Sequence, residues 1–180
     1  MSFKKNRAHA KRAPKETKFS QEQDTMAGRI DARLKELGIS LSDPVAPAAN
    51  YVPYVVTGNL VFISGQVPVD GSGLPYVGKV GDTVSQSDAV KAARLCGLNI
   101  LSALRQACGG DLDKVTRCVK LGGFVNGTPE FDQHPAVING CSDLMVDVFG
   151  EAGKHSRFAL GAGNLPFNVA VEIDAVFEIA

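Results

Sequence analysis

At 180 residues and 44% hydrophobic, the chain suits one domain with a sizeable core. Its formal charge of zero divides unevenly: residues 1–25 hold seven Lys/Arg against three acids, leaving 12 of the 19 basic and 16 of the 19 acidic groups to residues 26–180. A mildly acidic body argues against a nucleic-acid groove, which relies on clustered Lys and Arg. No apolar run approaches ~20 residues and no signal-type apolar stretch follows the basic start, so the expectation is a cytoplasmic protein with no membrane span. The four cysteines (Cys96, Cys108, Cys118, Cys141) are far apart and there are three histidines, which gives no metal-ligand spacing and predicts buried, reduced thiols and no metal.

Residues 1–25 are polar, basic and nearly free of large apolar side chains, the composition of a flexible tail. The domain is expected over 26–180. Met26, Ile30, Leu34 and Leu37 form one helical stripe, so a leading helix is expected near 26–38, closed by Gly38. "SDPVAPAAN" then reads as an extended loop. "YVVTGNLVFISGQVPVD" reads as two β segments turning at Thr57-Gly58-Asn59. Thr83 and Gln86 make a capping-box pattern before a helix carrying Val90, Arg94, Leu98, Leu101, Leu104 and Cys108, with the small residues Ala93 and Gly97 alongside. "VTRCVKLGGFV" is the next strand. His134 precedes Pro135 at the start of a second amphipathic helix that carries Val137, Ile138, Cys141, Leu144, Met145, Val148 and Phe149. "SRFALGAG" and "VAVEIDAVFEI" are the last strands. The order predicts an α+β fold: a mostly antiparallel sheet with two long helices on one face. The other face would need cover from a second copy, so a homo-oligomer is expected.

Alternation sorts the last two strands. Phe158, Leu160 and Ala162 are expected to meet the helices, leaving Arg157, Ala159, Gly161 and Gly163 on the opposite, nearly bare face. On the final strand Val169, Val171, Ile173, Ala175, Phe177 and Ile179 share one face, and Ala170, Glu172, Asp174, Val176 and Glu178 the other. If these strands pair as a hairpin through residues 164–168, Arg157 lies opposite or diagonal to Glu172 or Asp174. Two accounts fit that arrangement. One is a cross-strand salt bridge, worth little if exposed. The other is a site in which the guanidinium clamps a substrate carboxylate and a carboxylate orients water.

"HSRFALGAGNLPFNVAVEIDAVFEI" resembles the closing signature of the Rid (YjgF-type, reactive intermediate deaminase; endoribonuclease L-PSP-like) family: an arginine, a strand, Leu-Pro, then Val/Ile-Glu-Ile/Val. Tyr51 followed by Gly58 to Pro68, with Ser64-Gly65-Gln66, is similar to the family's opening, and "PEFDQHPAVIN" to its DF…VN segment. The resemblance covers roughly residues 40–180. It implies a chorismate-mutase-like α+β fold, a homotrimer, and sites in clefts between subunits. It places the carboxylate-binding arginine at Arg157, the water-holding glutamate at Glu172, the cleft tyrosine at Tyr51, the cleft asparagine at Asn139, and cleft backbone at Ser64 and Gly65. The implied activity is cofactor-independent hydrolysis of enamine/imine intermediates to 2-keto acids and ammonia, so the expected partners are a small carboxylate substrate and further copies of the chain. The alternatives are an endoribonuclease or translation inhibitor, against which the acidic body argues, and a non-catalytic binder of small carboxylates. The chain departs from the best-known members in having His155-Ser156 where they have Pro-Ala, and Ala159 where a cysteine is common. His155 is therefore either an auxiliary proton shuttle beside Arg157 or a structural partner at the strand start.

Overall fold

The computed structural model describes residues 28–43 and 50–180. The basic tail, Met26 and most of the loop expected at 42–50 lie outside the described residues. The elements are α1 (Arg29–Glu36), β1 (Tyr54–Thr57), β2 (Leu60–Gln66), α2 (Gln86–Ala107), β3 (Val115–Val125), α3 (His134–Phe149), β4 (Ser156–Gly161) and β5 (Val171–Ile179), with short 3-10 turns at Leu112–Lys114, Gly150–Gly153 and Pro166–Asn168. No helix among the described residues is long and apolar enough to cross a membrane.

The fold is α+β, with one five-stranded sheet in the order β1-β2-β5-β3-β4. Three neighbouring pairs are antiparallel and β3–β4 is parallel. The parallel pair follows from α3: a helix between two strands returns the chain to run again in the same direction. β5 fills the middle of the sheet, and its alternation decides which side is core. Val171, Ile173, Ala175 and Phe177 are buried under the helices, the Phe177 ring lying 6.2 Å from that of Phe149 on α3. Glu172, Asp174, Val176 and Glu178 line the side that no helix covers, as alternation predicts.

The last two strands do not form the expected hairpin. β3 lies between them, so residues 162–170 carry the chain across its end. Arg157 pairs with Leu121 of β3, which in turn pairs with Ala175, and not with Glu172 or Asp174. The faces of β4 are also the reverse of the expectation. Arg157, Ala159 and Gly161 face α3, whereas Phe158 packs edge-on against Phe124 on the open side, ring centroids 5.3 Å apart. The cause is close packing. A Cβ at Gly161 would stand 2.7 Å from the His134 ring, and one at Gly123 2.6 Å from Ile138, so beyond Arg157 the helix side of this sheet edge takes small residues.

Small residues also set the distance between α2 and α3. A Cβ at Gly140 would overlap the Val90 carbonyl oxygen, and one at Gly97 would lie 2.9 Å from Leu144. The helix ends are partly as expected. Gly38, at φ 66, closes α1 with its own N–H on the Lys35 carbonyl and the Ile39 N–H on that of Leu34, the paired bonds of a Schellman motif. The start of α2 differs from the Thr83/Gln86 reading: Ser85 is the cap, its hydroxyl accepting from the Asp88 N–H, while the Thr83 hydroxyl accepts from the Lys79 N–H. Asp113 caps α1 from a distance, its carboxylate accepting from the Arg29 and Ile30 N–H groups. Asn126 ends β3 fully buried. Its amide donates to the Asn168 side chain and the Val169 carbonyl and accepts from Lys79 Nζ at 2.8 Å, tying together three segments.

Gly140→Ala tests the helix contact. The added methyl meets backbone, which cannot rotate aside, so stability should fall by about 1–3 kcal/mol. Urea denaturation should show a lower midpoint with an unchanged slope; an unaltered midpoint would mean that the two helices are not held at this distance.

Candidate functional site

β4 is an edge strand, and Arg157, its second residue, sits on the helix side of that edge. Its guanidinium is anchored on α3: Nη1 donates to Ser142 Oγ at 2.9 Å and Nη2 to the Pro135 carbonyl at 3.2 Å. Arginine has five N–H donors in a rigid fork. Two are engaged here, leaving three for a ligand. Pro135, Asn139 and Ser142 follow i, i+4, i+7 spacing and share one stripe of α3, so Asn139, which is exposed, lies on the stripe that holds the arginine. His155, half-buried just before β4, lies beside Ser142, with Nε2 3.0 Å from its hydroxyl and Nδ1 2.6 Å from the Gly153 carbonyl oxygen.

A second group assembles on the open face. The Glu172 carboxylate lies across Gly65, where a Cβ would overlap Oε1. Gly65 falls in the irregular stretch of β2 between Ile63 and Gln66, where the ladder to β5 shifts register. Ser64 closes this end of the sheet onto the preceding segment: its hydroxyl donates to the Val52 carbonyl at 2.7 Å and its N–H to that of Pro53. Tyr51, 51% exposed, precedes that anchored stretch. Burial first, and the Asp174 carboxylate second, push the Glu172 carboxyl above the ordinary glutamate range.

Around Glu172 the open face is apolar. Leu160, Phe124 and Glu172 form one row across β4, β3 and β5, and Val55, Phe62 and Val176 another across β1, β2 and β5. Val55, Phe62, Phe124 and Leu160 are all at least 36% exposed. The sequence-predicted residues therefore divide into two groups: Arg157, Asn139 and His155 on the helix side of the β4 edge, and Gly65 and Glu172 at the open face, with Ser64 beside Gly65 and Tyr51 just before the segment that Ser64 anchors. No single copy brings Arg157 and Glu172 together.

Sequence reasoning missed Ser142 and the Pro135 carbonyl. The i, i+4, i+7 stripe through Asn139 is the signal that could have found both. The four cysteines are buried and free, as predicted. Burial pushes their thiols up, Cys118 to about 12, so none is a ready thiolate at neutral pH. Among the described residues no cluster of three or more His, Cys, Asp or Glu is placed to hold a metal ion.

This fold and this signature define a family. The chain belongs to the YjgF family: the model described as "YjgF/chorismate mutase-like, putative endoribonuclease" matches residues 31–178. Protein TCP17 of Trypanosoma cruzi is 46% identical over 154 residues, which is 85% of this chain and 96% of that protein. The crystal structure of Atu1372 from Agrobacterium tumefaciens, a protein of unknown function, is 46% identical with a TM-score of 0.80, covering 89% of this chain and 99% of its own. Escherichia coli TdcF, solved with bound serine, is 26% identical with a TM-score of 0.55, covering 77% and 94%.

The raised Glu172 carboxyl has a consequence for stability. The folded state binds this proton more tightly than the unfolded chain, so stability falls as pH rises from the ordinary glutamate value, about 4.3, through the raised one. Glu172→Gln should therefore melt at a higher temperature than the parent at pH 7 and lose that advantage below about pH 4. A lower melting temperature at pH 7 would show that the carboxylate is stabilised where it lies.

Proposed function

We propose that the protein hydrolyses reactive enamine/imine intermediates to 2-keto acids and ammonia, in a site made by two copies of the chain within a homotrimer. The observation that carries this reading is the anchored Arg157, fixed by two donors with three left over, on a chain whose Glu172 lies on the other side of the same sheet. A site using both needs the helix-side rim of one copy against the open face of another. The exposed Val55, Phe62, Phe124 and Leu160 supply an apolar surface for such packing.

The chemistry is light. An imine carbon is already electrophilic, and water adds to it to give a carbinolamine that collapses to a carbonyl and ammonia. Arg157 holds the substrate carboxylate through charge-assisted bonds and fixes the orientation. Glu172 takes a proton from the attacking water and returns one to the departing nitrogen, so no net proton is consumed by the residue. Its raised carboxyl brings the group closer to neutral pH, where a proton shuttle is most effective. Tyr51 and the Ser64-Gly65 backbone line the Glu172 half, and Asn139 the Arg157 half. The serine bound to TdcF carries the carboxylate and nitrogen that such a substrate presents.

Iminopropanoate generated in a coupled assay should be hydrolysed by the parent protein. Arg157→Ala should lower kcat/KM by about 10- to 100-fold, the cost of a lost hydrogen-bonded charge contact. Arg157→Ala and Glu172→Gln, each impaired alone, should recover when mixed by co-refolding, to roughly a quarter of the parent activity by random pairing. Mixing without recovery places both residues in one chain's site. Equal rates for the parent and Arg157→Ala remove the deaminase reading, and Arg157-dependent cleavage of RNA would install the endoribonuclease reading in its place.

A further inference from the structure

Resting on Arg157 as the carboxylate clamp, we propose that His155 is a positioning residue for it, acting through Ser142 along a hydrogen-bond chain whose direction the backbone sets. The chain begins at the Gly153 carbonyl, which can only accept. Its oxygen lies 2.6 Å from His155 Nδ1, so that nitrogen carries the proton. In the neutral ring Nε2 is then the acceptor. Ser142 Oγ, 3.0 Å away, donates its hydroxyl proton to Nε2 and turns its lone pairs away from the ring. Arg157 Nη1 donates to that oxygen at 2.9 Å. Each link leaves one role for the next, and the last link is the guanidinium.

The anchor at the far end is rigid. Gly153 is buried, and a Cβ there would overlap the Met145 carbonyl oxygen, so the 3-10 turn Gly150–Gly153 is seated on the end of α3 by direct backbone contact. Ser142 sits on the same helix about one turn before Met145, on the stripe that also offers the Pro135 carbonyl to Nη2. The guanidinium is therefore held at two points on one helix. Of the two, the serine can rotate and the carbonyl cannot. Arg157 alone draws a lone pair of the hydroxyl toward it but leaves the hydroxyl proton without a fixed acceptor. His155 removes that freedom by taking the hydrogen.

His155 stands where the resembled signature has Pro-Ala, and neither of those residues has a side-chain acceptor for the Ser142 hydroxyl. The arrangement is thus a feature of this chain's own residues. Its effect is on the free site: the three unengaged donors of Arg157 are set before a carboxylate arrives, which lowers the ordering cost of binding.

The test uses the full-length protein, with pyruvate binding by calorimetry and iminopropanoate turnover as readouts. His155→Leu and Ser142→Ala should each weaken pyruvate binding and raise KM by roughly 5- to 30-fold, the span of one or two kcal/mol, with kcat little changed. His155→Gln, whose amide oxygen replaces the Nε2 acceptor, should stay within about threefold of the parent. Parent-like binding by His155→Leu, with binding lost in Arg157→Ala, overturns the positioning role and leaves the clamp standing. Parent-like binding by Arg157→Ala overturns the clamp itself. The histidine tautomer gives a reading independent of any variant's folding. Long-range proton–nitrogen correlation spectra of the parent, with the His155 signals assigned by their loss in His155→Gln, should show the Nδ1–H form. An Nε2–H form reverses the chain and overturns the proposal.

Discussion

The burial of one side of β5 is the constraint from which the rest of the molecule follows. Four apolar side chains on this central strand need the helices over them, and that commits Glu172 and Asp174 to the opposite side with Val176 and Glu178. A shift of one residue would put three carboxylates under the helices and four apolar groups outside. Carboxylates without partners cannot be buried there at tolerable cost. The position of Glu172 is thus a by-product of core formation, and so is its raised carboxyl, since the apolar open face around it withholds water.

The edge strand obeys a different rule. At β4 the helix passes so close that its side of the strand takes glycine and alanine, plus one long side chain that can leave along the rim. Arg157 is that side chain. Its aliphatic stem needs little room at the strand, and its head reaches the α3 stripe of Pro135 and Ser142. The two polar groups that the family signature pairs, fifteen residues apart in sequence, are consequently separated by the thickness of the sheet.

This difference explains what could be read beforehand. β5 was legible because its two faces differ in polarity, and polarity says which face is buried. β4 was not, because its two faces differ in size alone. Phe158 and Leu160 suit a core, but they also suit an exposed face that a partner covers. Gly161 and Ala159 suit an empty face, but they also suit a helix in close contact. The pairing of β4 was hidden for a related reason. The loop between the last strands is as compatible with a crossing over β3 as with a hairpin, and local turn chemistry does not decide between them. The helices, by contrast, were read nearly to their ends. Only the cap of α2 moved, from Thr83 to Ser85, because Thr83 is taken up by the Lys79 N–H. Among the candidate site residues, strand alternation marks Arg157 and Glu172, and the resemblance to the family's opening adds Gly65. Ser142 was not, since a serine inside a helix is ordinary until its neighbours are known.

The central place of β5 also bears on how the chain is made. Synthesis runs from the N-terminus, and β5 follows every other described element. Until it arrives, β2 and β3 each have an unpaired edge on the side it will occupy, and the apolar faces of both long helices lack the strand that completes their seat. Leu60 and Glu178, paired across the finished sheet, are joined by most of the domain, so the contact that closes the structure is also among the most distant in sequence. Open strand edges are templates for pairing with other chains. The growing polypeptide is therefore most exposed to aggregation in the interval between the emergence of β3 and that of β5, and a chaperone that shields strand edges would serve it most there.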